Sequence, residues 1–168
     1  MINRMEGMAV NRIAKILSAV TIALLAAVIY TVSTAQLTAV SESIVIQPVT
    51  ERMAAFESLQ QAIEEGDLAD NQFRLMPSED PEDYCFVNYT VTLSGRCPLV
   101  AEWAVLSISP AEGDIAFLPG EAQDVAPFGG KTLTGTLITM RENAEQNRIL
   151  WVEYYVFGRG MSATIEGA

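Results

Sequence analysis

The residues that could do chemistry are few, and histidine is missing altogether from the 168 positions. Its absence removes serine–histidine and cysteine–histidine nucleophile systems together with the commonest transition-metal ligand. Cys85 and Cys97 are the only thiols, and two sulfurs alone do not make a zinc site, which needs four ligands at recognisable spacing. Gly129-Gly130-Lys131-Thr132 lacks the earlier glycine and the length of a phosphate-binding loop, so it reads as a turn into a strand. A pair of carboxylates can cleave glycosides, but a domain of about 100 residues has little room for a sugar cleft. The expectation is a non-enzymatic protein with no catalytic, metal or cofactor-binding residues.

Three polar groupings remain. Glu79-Asp80-Pro81-Glu82-Asp83 gathers four carboxylates, but without the alternating ligands and glycine turn of a calcium loop it reads as a solvated linker. Asn88-Tyr89-Thr90 is a formal glycosylation sequon inside a predicted strand. Cys85 and Cys97 could pair in an oxidising compartment, yet a straight strand over 85–93 separates its ends by about 26 Å at ~3.3 Å per residue. Only four residues then return the chain to Cys97, and a disulfide needs Cα atoms within about 7 Å. An intact strand and this disulfide exclude each other, so unbridged thiols are the favoured reading.

The element that fixes where these residues work is at the amino end. No charge occurs between Lys15 and Glu42, and Ile16 to Val32 is almost wholly apolar. As a helix this run covers roughly 25 Å, and extension to Ala35 reaches about the thickness of the hydrocarbon core. Arg4, Arg12 and Lys15 precede it against a single acid, Glu6, which retains that flank in the cytoplasm. Residues 1–15 are therefore expected to be a cytoplasmic basic flank and 16–35 a transmembrane signal anchor, with the remainder extracytoplasmic in the cell membrane. Ser33-Thr34-Ala35 also offers a small-residue cleavage site, and a cut after Ala35 would secrete the chain.

Residues 36–71 read as a juxtamembrane region with an amphipathic helix near 50–65, where Met53, Phe56, Leu59 and Ile63 recur at helical spacing before Gly66. From Gln72 the period falls to two, and seven strands are predicted at 72–76, 85–93, 101–108, 114–118, 131–140, 149–157 and 161–165. Glycine and proline mark the breaks at Ser94-Gly95, Pro119-Gly120, Gly129-Gly130 and Gly158 to Gly160. On the clearest strands Val87, Tyr89 and Val91, and then Val152 and Tyr154, share one face and are expected in the core. Trp151, Tyr155 and Phe157 form a candidate aromatic contact surface.

Seven short strands over residues 72–168, with Trp103 on the third and tyrosines on the sixth, resemble an immunoglobulin-like or fibronectin type III-like β-sandwich. The resemblance implies an all-β fold with Trp103 buried; it carries no functional residues, and without a cysteine on the sixth strand the usual inter-sheet disulfide is impossible. Beyond residue 35 the chain has 7 basic and 20 acidic residues, net −13, which repels phosphate backbones and argues against nucleic acid. The expected role is assembly with another envelope or surface protein. A solute- or glycan-binding module is the alternative. The order of helix, helix and β domain is also similar to a pilin subunit, but Glu6 precedes the apolar run where pilins carry an acid within it.

Overall fold

With neither glycine nor proline between Met8 and Thr34, nothing interrupts a helix there, and the chain forms α1 over Ile2–Thr34. The computed structural model describes residues 2–34, 36–65, 78–95 and 97–165; residues 1–35 and 36–168 are separate compact units. In α1 the hydroxyls of Ser18, Thr21 and Thr31 donate to the carbonyls four residues earlier at 2.9, 2.9 and 2.7 Å. These polar groups are thereby satisfied inside the helix, as an apolar surrounding requires. Its stretch Arg12–Thr31 is long and apolar enough to cross a bilayer, a property shared by membrane anchors and signal sequences.

The second unit is a β-sandwich. In chain order its elements are β1 (Leu37–Pro48), α2 (Met53–Glu65), β2 (Tyr84–Gly95), β3 (Ala101–Ile108), β4 (Asp114–Pro119), β5 (Gln123–Val125), β6 (Gly130–Met140), β7 (Leu150–Val156) and β8 (Arg159–Ile165). One antiparallel sheet runs β1-β2-β6-β4 and the other β5-β3-β7-β8. Val87, Tyr89, Val91 and Leu93 of β2 are buried, as are Leu133 and Leu137 of β6 and Leu150, Val152, Tyr154 and Val156 of β7. Gly135 sits where any Cβ would collide with the Phe117 ring, so the absence of a side chain lets the ring of this β4 residue lie against the β6 backbone.

The other face of the first sheet is divided along its length. Tyr84, Phe86, Ala116 and Ile138 are covered by Phe56 and Leu59 of α2, with Met53 and Ile63 packed beside them. The Phe56 and Tyr84 rings lie 5.3 Å apart, within the range of favourable aromatic pairs. The Tyr84 hydroxyl donates to the Ser78 carbonyl at 2.7 Å and accepts from the Ser78 N–H at 2.8 Å. Past Asn88 this face turns to Thr90, Thr92, Thr132 and Thr134, which need no cover.

Two expectations are corrected. The sandwich begins at Leu37, not at residue 72: β1 pairs with β2 from Leu37 opposite Gly95 to Pro48 opposite Cys85, so the first part of the region expected to precede the sandwich is one of its strands. Its alternation is hidden by a register shift between Ala39 and Ser41, which moves the inward set from odd to even positions. The predicted strand at 72–76 lies outside the described residues. Trp103, expected in the core, is exposed, because β3 loses register with both neighbours between Ala101 and Val105. That bulge leaves Ala101 and Ala104 buried and turns Glu102 and Trp103 outward.

Candidate functional site

Strand register brings several connections to one end of the sandwich. β1 begins opposite the last residue of β2, and Gly130, the first residue of β6, faces Ser94. The Gly95 N–H donates to the Gly129 carbonyl at 2.8 Å, and the Phe128 N–H to the Cys97 carbonyl at 2.9 Å. The Leu37 N–H reaches the Tyr154 hydroxyl at 3.4 Å. The start of β1, the β2–β3 connection, the 126–129 turn and the β7–β8 turn therefore meet at this end.

Three aromatic rings stand out there: Trp103, Phe128 and Phe157 are 70, 71 and 73% exposed. They are also the three described non-glycine residues with positive φ, at 55, 53 and 50°. A bulky side chain in the left-handed region costs about 1–3 kcal/mol, so the fold spends stability to hold these rings in solvent. Each is fixed locally. The Trp103 N–H donates to Asp124 Oδ1 at 3.0 Å, and Phe128 is tied to Cys97 as above. Phe157 and Gly158, with φ 50 and 70°, link the paired residues Val156 and Arg159. That is the two-residue turn with both φ positive, in which asparagine usually precedes glycine.

The aromatic group singled out in the sequence divides. Trp151 is half-buried on the outer face of β7, its indole N–H donating to Glu153 Oε1 at 2.8 Å. Tyr155 shares a shallow groove with it beside Met161 and Ser162. Phe157 leaves them for the turn, joining Trp103 and Phe128. Phe128 is absent from the sequence-based group, although a large ring in Pro127-Phe128-Gly129 has no strand neighbours to cover it, which is a legible signal.

A second surface is the free side of β1, which pairs only with β2. Val40, Ile44, Val45 and Ile46 are exposed along it. Ile44 and Ile46 lie opposite Tyr89 and Val87, so they point inward but extend past the cover of the second sheet. Beneath them is a cleft of about 250 Å³ lined by Tyr89, Arg148 and the 144–147 connection. Farther along, Glu42 has a buried Oε1 without a hydrogen-bond partner, and burial pushes its carboxyl pKa up.

The opposite end is polar and acidic. Arg148, buried, donates to Asp114 through Nη2 at 2.7 Å and Nε at 3.0 Å, to the Asn143 and Gln146 carbonyls, and to Thr139. Burial works to lower the Arg148 pKa, but Asp114 and Tyr89 together outweigh it and the net direction is up. Two of the four carboxylates at 79–83 are engaged in the turn: Asp80 accepts from the Glu82 N–H at 2.9 Å and Asp83 from the Ser78 hydroxyl. Among the described residues no cluster of three or more His, Cys, Asp or Glu is arranged to hold a metal. Cys85, near the start of β2, and Cys97, two residues beyond its end, are both free and buried, and burial pushes the Cys85 thiol pKa up. Asn88 is occupied within the sheet, donating to Gln47 at 3.0 Å and accepting from Thr136 at 3.0 Å.

No protein-family model and no curated protein matches the chain. Among solved structures, an uncharacterized beta-sandwich protein from Clostridium difficile 630 is similar at 5% identity over 79% of this chain and 85% of that one, with a TM-score of 0.26. Likeness at that level carries no functional argument.

Proposed function

We propose that the chain is a non-enzymatic, single-pass membrane protein, its amino end cytoplasmic, whose extracytoplasmic sandwich assembles with another envelope or surface protein by strand addition at β1. The observation that carries this reading is the free edge of β1. At twelve residues it is far longer than the other three sheet edges, β4, β5 and β8, of six, three and seven. Edge strands are ordinarily guarded by bulges, proline or inward charges. The shift at Val40 and the carboxylate of Glu42 guard the first half and Pro48 closes the strand, but the stretch between Glu42 and Pro48 has no such guard. Ser43-Ile44-Val45-Ile46-Gln47 carries no charge, and its exposed side chains adjoin the cleft above the 144–147 connection. An added strand gains ladder hydrogen bonds from the edge and specificity from pockets for alternate side chains.

The finer architectural reading is immunoglobulin-like. The order β1-β2-β6-β4 with β3-β7-β8 matches the ABED and CFG sheets of the constant-type fold, with β5 as a short added strand beside β3. This topology supports the reading, although Trp103 lies outside and no disulfide joins the sheets.

A photocrosslinking residue at Val45 of the full chain in its native membrane tests the assembly. A discrete adduct to an extended segment of one other protein is expected, lost when Ile44→Lys and Ile46→Lys are introduced together and absent when the crosslinker is placed at Thr164 on β8. Equal labelling from both edges, or none from Val45, would sink the strand-addition reading.

A further inference from the structure

We infer that Trp103, Phe128 and Phe157 form a lipid-contact seat that dips into the headgroup region of a bilayer. The inference rests on the reading of α1 as a membrane anchor and adds to it a lipid-contact site.

Three observations converge. The first is the rings themselves. Exposed aromatics are concentrated where one side is apolar and the other wet, and bilayer interfaces are such a place. Here the three rings are held outward by backbone conformations that oppose them, which a merely solvated loop gains nothing by keeping. The second is the chain path. In sequence the sandwich follows α1 directly, its first strand starting at Leu37. The end of the sandwich that contains Leu37 is also the end that carries the rings.

The third is charge. Lys131 and Arg159 open β6 and β8 at this end and are exposed, suited to reaching lipid phosphates while their stems lie along apolar groups. The acids nearby are Glu102, Glu121 and Asp124, with Asp124 accepting from the Trp103 N–H, so the basic pair is balanced locally and not part of a broad negative patch. The opposite end is the more acidic, where exposed Glu57, Glu64, Glu65, Glu79, Glu82 and Glu145 outnumber exposed Arg52 and Arg141.

The two tryptophans supply the test, because Trp103 lies at the proposed seat and Trp151 near the other end of the same sheet. The full chain is reconstituted in phosphatidylcholine vesicles with and without acyl-chain bromination, as Trp151→Phe to isolate Trp103 and as Trp103→Phe to isolate Trp151. Vesicle flotation reports anchoring separately. Trp103 is expected to emit at shorter wavelength than Trp151, to lose most of its emission to brominated lipid, and to resist aqueous iodide; Trp151 should show the reverse. Adding Phe128→Ser and Phe157→Ser to the Trp103 reporter should reduce lipid quenching while flotation persists. A chain that floats with Trp103 as iodide-accessible as Trp151 overturns the seat and leaves the anchor standing. A chain that does not float overturns both.

Discussion

At one end of the sandwich a charged side chain is buried, and at the other large apolar ones are exposed. Arg148 is enclosed with Asp114 beneath the 141–149 connection, whereas Trp103, Phe128 and Phe157 stand in solvent where β1 begins. Hydropathy alone would have placed these residues the other way round. A guanidinium tolerates burial when each donor finds an acceptor, and Arg148 has two carboxylate oxygens, two carbonyls and a threonine hydroxyl. An aromatic ring stays out when the backbone beneath it is fixed in a conformation that points it away. The ion-paired end satisfies its charge internally; the ringed end holds its rings outward in a backbone conformation that costs stability.

The ion pair offers the largest way to break that contrast. Arg148→Met leaves Asp114 buried without its partner and should destabilise the domain by about 3–5 kcal/mol. Chemical denaturation followed by tryptophan fluorescence reads the loss. Converting both members, as Arg148→Met with Asp114→Leu, should recover most of it, since the isolated charge is what costs most. A single-variant loss below about 1 kcal/mol would mean that the pair behaves like a surface contact, and the contrast between the two ends would dissolve.

Much of this architecture was legible from the sequence because β2 and β7 alternate without interruption. Val87, Tyr89 and Val91 share a face, as do Val152 and Tyr154, and all five are buried. What escaped did so for two physical reasons. Bulges shift the side-chain period by one residue, which hid β1 at Val40 and reversed Trp103 on β3. The buried pair joins residues 34 positions apart, and a lone Arg in a connection reads as solvated until the fold brings its acceptors together. Phe128 and Phe157, by contrast, carried a local signal: each precedes glycine in a turn, where no neighbouring strand can cover a ring.

A smaller change sharpens the comparison from the ringed end. Phe157→Asn restores the residue preferred before Gly158 in this turn and should stabilise the domain by about 1 kcal/mol through relief of the left-handed strain. The same variant should weaken lipid quenching of Trp103 in vesicles. Stability and membrane contact then move in opposite directions, the signature of a ring kept for a surface. If Phe157→Asn lowers the denaturation midpoint instead, the ring contributes packing and the assignment of this end as a built surface fails.

The smallest effect belongs to Glu42, on the guarded half of β1 between the two ends. Burial raises its carboxyl pKa above the unfolded value, so the charged form is the less favourable one in the fold. Such a group contributes stability below its unfolded pKa, near 4.3 for a glutamate, and that contribution is lost as pH rises through the folded value. At neutral pH the ionised Glu42 is therefore a net cost, and its unpartnered Oε1 shows where the cost lies. Glu42→Gln removes the titration. Urea midpoints should show the variant gaining on the parent between pH 4 and pH 7 and the gap closing again toward pH 4. A gap that stays constant across this window would show that the carboxylate is hydrated at the edge of β1. The guarded half of the strand would then be as open as Ser43–Gln47, with nothing to confine an added strand to the uncharged half.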